Sequence, residues 1–130
     1  MTGRTGRNWN RTERESFRNA MEGIAYAMRN EPHMRVHLAA SAVIVAVACA
    51  LKLPPEDWMW LFSAVAAVWV TELLNTAVER AVDLASPGSH ELAKIAKDTA
   101  AGAVLVASAY AVAIGLIVLG PPLLDWVRSL

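Results

Sequence analysis

The chain has 130 residues, 55% of them apolar, and a mean hydropathy of +0.34, so it has room for one domain and is too apolar for an ordinary small water-soluble one. Twelve basic and twelve acidic residues cancel to a formal charge of zero, which gives no ground for a nucleic-acid partner. A single cysteine, Cys49, excludes a disulfide within the chain and, lying in an apolar run, reads as a buried small hydrophobe.

Met1 to Arg14 is polar, rich in Arg, Asn and Thr, and lacks the apolar core of a cleaved signal peptide. Its triplet Asn10-Arg11-Thr12 matches a glycosylation acceptor only by chance, since the segment is expected on the cytoplasmic side. Over residues 13–30, Phe17, Ala20, Met21, Ile24, Ala27 and Met28 recur at three- and four-residue steps, while Glu15, Arg18, Glu22 and Arg29 fall on the other face. That pattern predicts an amphipathic helix. Its charges forbid a membrane crossing, so it is placed in the headgroup plane and ended by Pro32.

Three apolar segments follow, over about 36–53, 58–78 and 99–124, the last without a charge and closing at Pro121-Pro122. The expected fold is an all-α membrane protein: three transmembrane helices plus the N-terminal surface helix, in one domain over 1–130. Orientation follows from the basic residues, because seven of the twelve precede His37 and the loop after the second span carries Arg80, Lys94 and Lys97. Both regions are expected in the cytoplasm, with Trp58, Trp60 and Trp126 as a belt at the outer interface. In the third span Ala103, Ala107, Ala111 and Gly115 form a small-residue ridge that suits close approach of another helix, and several chains are expected to associate.

The stretch Thr71 to Asp83, TELLNTAVERAVD, departs from this apolar pattern. Glu72, Asn75, Glu79 and Asp83 fall at i, i+3, i+7 and i+11, hence on one helical stripe. A charge at the bilayer centre costs about 2.5–3.5 kcal/mol on insertion scales, which marks such a stripe as functional by default. Glu31 before the first span and Lys97 with Asp98 before the third lie in the same interfacial layer. Carboxylates grouped without Cys or His at ligand spacing suit a hard cation such as Mg²⁺, a lysine beside them suits phosphate, and Glu72 suits a proton arriving from a lipid hydroxyl. Plainer readings exist: Arg80 and Asp83 as a solvated helix end, and Asn75 as packing glue between helices. His33, His37 and His90 flank interfaces and lack a second nitrogen or sulfur ligand for a metal role.

ELLNTAVERAVD, with HELAKIAKDTAAGAVL from His90 to Leu105 and the NEPHMRVHL entry to the first span, resembles the small prokaryotic integral membrane lipid kinases, the diacylglycerol and undecaprenol kinase family. The resemblance runs from about Ser16 to Leu119. It implies a homotrimer with active sites shared between neighbouring subunits, using Mg²⁺ and ATP without a glycine-rich phosphate loop. Position by position, it implies Glu72 as catalytic base, Glu31 and Glu79 as metal ligands, Asn75 at the nucleotide, and Lys97 with Asp98 handling phosphate. Both Arg11 and Arg14 match the family's N-terminal basic residue near the nucleotide. The wording of ELLNTA and AKIAKDTAAGAVL is closer to the undecaprenol kinases, which makes undecaprenol the expected substrate and diacylglycerol the alternative. A bacterial inner-membrane location with the N-terminus in the cytoplasm accompanies that reading. A non-enzymatic bundle or ion pathway around Glu72 and Glu79 is the alternative class, and the apolar outer halves of the spans speak against it.

Overall fold

In the computed structural model, which describes residues 12–130, four helices follow one another: α1 (Glu13–Asn30), α2 (Pro32–Ala50), α3 (Pro55–Ala85) and α4 (Glu91–Arg128). Among the described residues there is no strand, and α2, α3 and α4 are each long and apolar enough to cross a membrane. The all-α membrane fold read from the sequence is therefore the fold observed. Arg4, Arg7, Asn10 and Arg11 lie outside the described residues.

Local chemistry sets the helix ends. Thr12 Oγ1 accepts the Glu15 N–H at 3.3 Å and the Glu15 carboxylate accepts the Thr12 N–H at 3.3 Å, a capping box that starts α1. At the other end Glu31 has extended backbone, φ −105° and ψ 113°, and serves as cap of both α1 and α2. Pro32 then occupies a first-turn position of α2, where its missing N–H costs nothing. The proline that ends one helix thus begins the next, and Glu31 becomes a sharp, fixed corner.

Lys52 takes a left-handed φ of 52° in the turn after α2, and Pro55 opens α3 with Glu56 and Asp57 in the first turn, where the helix dipole favours acids. At 31 residues, α3 is about 46 Å long, against a hydrocarbon thickness of about 30 Å. Its last turns, with Glu79, Arg80 and Asp83, therefore extend past the apolar stretch on an uninterrupted helix.

α4 differs from expectation at its far end. It runs through Pro121 and Pro122 to Arg128 instead of closing at the prolines. Proline removes a donor and crowds the carbonyl four residues back, yet its φ is helical, and membrane helices tolerate it where neighbours support the backbone. Support is present, because Val118 is buried against Ala48, Leu53 and Leu61.

That cluster, with Trp58, Ile44 and Ile114 packed around it, is the apolar core at one end of the bundle. Trp58 belongs to this core and stacks on Phe62 at 5.4 Å, whereas Trp60 and Trp126 are exposed. α3 packs most extensively on α4, and at the opposite end Ala27 and Met34 are buried where α1 and α2 meet α3. Cys49 is exposed rather than buried. Lipid accepts apolar side chains as readily as a core does, so an apolar run does not say which of its residues face inward.

Candidate active site

The later half of α3 carries the only buried polar side chains among the described residues: Glu72, 3% exposed, with Asn75 and Thr76. The stripe spacing puts Glu72 and Asn75 one turn apart, and Glu79 one turn beyond Asn75. The Asn75 amide Nδ2 donates to Glu79 Oε1 at 3.3 Å, while Asn75 Oδ1 is buried with no partner. An orphaned buried acceptor costs about 1–3 kcal/mol and calls for an explanation, such as a ligand or ion that completes it. The amide bonds within its own helix, and Asn75 makes no side-chain hydrogen bond to another helix among the described residues. Glu72 makes no hydrogen bond or ion pair with the described residues.

Around this stripe the other elements attach through ion pairs. Glu31, at the α1–α2 corner, pairs with the Arg80 guanidinium, which also lies over the Tyr26 ring at 5.8 Å. Lys97 Nζ donates to Asp83 Oδ1 at 2.5 Å and ties α4 to the end of α3. His90 Nδ1 accepts the Leu92 N–H at 3.1 Å and caps α4, so the short connection after Ala85 delivers Lys97 back to Asp83. One turn away on α4, Lys94 donates to Asp98 at 2.5 Å. That hydrogen bond first, and then the charge of Asp98, raise the Lys94 pKa above its ordinary value.

Each sequence-predicted residue can now be placed. Glu72, Asn75 and Glu79 share one face of α3, and Glu31 reaches that helix at Arg80, the neighbour of Glu79. Lys97 and Asp98 are adjacent but engage different partners, Asp83 and Lys94. Arg14 is exposed in the first turn of α1 and joins none of these residues through a polar contact among the described residues. Two connecting residues, Arg80 and Asp83, are read from residue type alone as a solvated helix end. Their signal was position: both sit on the helix that carries Glu72 and Glu79.

An apolar groove of about 490 Å³ runs between α2, α3 and α4, with Ala64, Val68, Ala111 and Gly115 in its wall. Val68 lies four residues from Glu72, so the groove ends about one helical turn from that carboxylate. Ser41 also lines it, but its hydroxyl is engaged: it accepts the Trp69 indole N–H at 3.1 Å and donates to the His37 carbonyl at 2.7 Å.

The donor set fits Mg²⁺. The Glu79 carboxylate offers hard oxygens, and the Glu31 carboxylate meets the same helix at Arg80, the next residue. Among the described residues no three His, Cys, Asp or Glu side chains already converge as a ready cage. Mg²⁺ does not need one, since it keeps several waters and is commonly held by one or two carboxylates plus substrate phosphates.

Residues 18–119 match the family model for prokaryotic diacylglycerol kinase. The chain belongs to that family. A diacylglycerol kinase of Synechocystis is 44% identical over 85% of this chain, and the matched stretch spans 63% of that protein. An undecaprenol kinase of Bacillus subtilis is 38% identical over 84% of this chain and 89% of its own length. A diacylglycerol kinase of Escherichia coli is 36% identical over 70% of this chain and 75% of its own length. Membership makes the chain a lipid kinase of the membrane, and a kinase family implies ATP as phosphoryl donor. Both lipids are represented among the relatives, so membership is coarser than the choice of substrate.

Proposed function

We propose that this kinase transfers the terminal phosphoryl group of ATP to the primary hydroxyl of undecaprenol. The observation that carries the reaction is Glu72, a buried carboxylate without a polar partner among the described residues, one turn from the orphaned Asn75 oxygen and one turn from an apolar groove. A lipid lying in the groove brings its head to Glu72. Glu72 takes the hydroxyl proton as the lipid oxygen bonds to phosphorus and the bond to the leaving ADP oxygen breaks. Lys97, released from Asp83, neutralises phosphate charge, and Asp98 keeps Lys94 turned away from it. Asn75 orients Glu79 and offers its free oxygen to the nucleotide site, with Arg14 as a further basic contact. Glu31 and Glu79 are the residues that would hold Mg²⁺, whose contribution when bound is to offset charge on the phosphates.

Support for undecaprenol comes from the groove. Its wall is mostly apolar, with His37, Ser41 and Ser108 as the polar residues lining it, and the Ser41 hydroxyl is already engaged by the Trp69 indole, which suits a polyprenyl chain that has no ester groups to solvate. The extent of the match to the undecaprenol kinase, 89% of that protein, points the same way. Diacylglycerol is the second reading, favoured by the higher identity, 44%, of the relative named for it. A homotrimer in the bacterial inner membrane, N-terminus in the cytoplasm, completes the proposal. It is supported by the large apolar side chains that α4 leaves exposed outside the groove, such as Leu105 and Val106.

The test is ADP release by detergent-purified protein given Mg-ATP and either undecaprenol or diacylglycerol. Release with undecaprenol above diacylglycerol is expected. No release with either would favour the non-enzymatic bundle.

A further inference from the structure

Glu31 stands where α1 passes the chain to α2, and its backbone is held from both sides. Its N–H donates to the Ala27 carbonyl at 2.9 Å, and its own carbonyl accepts the Arg35 N–H at 3.4 Å. The side chain, 13% exposed, therefore leaves a rigid corner and has few places to go. What meets it is Arg80, reaching across from α3, half-exposed and held over the Tyr26 ring.

A carboxylate that is largely removed from water requires a counter-charge, because leaving it unpaired is strongly unfavourable. Arg80 is that counter-charge, and it sits on the residue next to Glu79. The Glu31 oxygen bound to the guanidinium is not free for a second cation. A divalent cation held by the Glu31 carboxylate would compete with the guanidinium for it, since two positive charges brought close together repel.

Building on the reading that gives Glu31 and Glu79 to the metal, we infer that Arg80 is a positioning residue: it holds the Glu31 carboxylate in place of the divalent cation and leaves it when the cation binds. The exchange keeps Glu31 neutralised in both states. It also couples cation binding to loss of the ion pair between α3 and the α1–α2 corner, while the apolar contacts around Ala27 and Met34 remain. The cation then binds more weakly than the carboxylates alone would allow, by the strength of the contact it displaces.

The test is Mn²⁺ titration of full-length protein in lipid nanodiscs without nucleotide, with free Mn²⁺ read by electron paramagnetic resonance. Arg80→Met keeps an unbranched apolar stem and removes the guanidinium together with its contact to Tyr26, so it should bind Mn²⁺ about tenfold more tightly than the parent, a modest share of a contact-range charge interaction. Arg80→Lys should follow the parent, and Glu31→Gln should abolish the gain when combined with Arg80→Met. A brace with no part in cation binding would lower the thermal midpoint of Arg80→Met and leave Mn²⁺ affinity where it was. That result, with Glu31→Gln still weakening the parent's binding, overturns the role of Arg80 and spares the metal assignment. Binding that ignores Glu31→Gln in both backgrounds, or no binding by any variant, overturns the metal assignment and the inference with it.

Discussion

The Asn75 amide donates to Glu79 across one turn of α3, at 3.3 Å, and by doing so leaves its own Oδ1 buried and without a partner among the described residues. The two facts have opposite energetic signs. The hydrogen bond to a carboxylate is worth about 1.5–3 kcal/mol, and the stranded acceptor costs a comparable about 1–3 kcal/mol. Asn75→Ala removes both, so the thermal stability should move by less than about 1 kcal/mol. Turnover should fall at least about tenfold, because Glu79 loses the group that orients it and the nucleotide site loses an oxygen. The pair of measurements is a thermal midpoint and a rate of ADP release. A large drop in stability with the rate preserved would make Asn75 a packing residue.

Glu72→Gln keeps the shape of the side chain and removes its capacity to accept a proton. Positioned acid–base groups contribute about 10²–10⁴ to rate, and a loss in that range is expected. The protein should extract, assemble and melt as before, because Glu72 has no ion pair or hydrogen bond among the described residues to lose. Full activity in this variant would take Glu72 out of the mechanism.

Much of this was legible in the sequence, and the limits are physical. Length and apolarity are sufficient for three spans because a bilayer imposes both, and the stripe from Glu72 to Asp83 is visible because a helix has a fixed period. Facing direction was not legible: Cys49 and Trp58 sit in apolar runs whose residues point to lipid or to core with little difference in free energy. Nor was the end of α4, because Pro121 and Pro122 break a helix in water more firmly than in a supported membrane helix. Which charges pair across elements depends on tertiary approach. Spacing could group Glu31, Glu79, Lys97 and Asp98 in one layer, but could not say that Arg80 would reach Glu31 or that Asp83 would hold Lys97.

The Lys97–Asp83 pair is partly exposed on both sides, and pairs of that kind contribute about 0–1 kcal/mol to stability. Asp83→Asn should therefore be well tolerated by the fold. Its effect belongs to ATP binding: freed from Asp83, Lys97 is available to phosphate without an exchange, and the KM for ATP should fall about two- to fivefold. Lys97→Met should instead raise that KM and depress turnover. A KM for ATP that does not move in Asp83→Asn would show that Asp83 is no competitor for the lysine.

The last prediction concerns the lipid. Ser41 accepts the Trp69 indole N–H and donates its own O–H to the His37 carbonyl, so this polar group of the groove wall is already engaged. Ser41→Ala takes away the acceptor and leaves the indole N–H without a partner beside the groove, one turn before Glu72. A polyprenol has no carbonyl along its chain to offer that donor. A diacylglycerol has two ester carbonyls near its hydroxyl, and one of them could accept. A neutral hydrogen bond is worth about 0.5–1.5 kcal/mol net, so the ratio of kcat/KM for diacylglycerol to that for undecaprenol should rise about three- to tenfold. Trp69→Phe provides the control, since it removes the donor itself and should leave the ratio near that of the parent. If Ser41→Ala and Trp69→Phe give the same ratio, the hydrogen bond between Ser41 and Trp69 only joins α2 to α3, and lipid choice is made elsewhere on the groove.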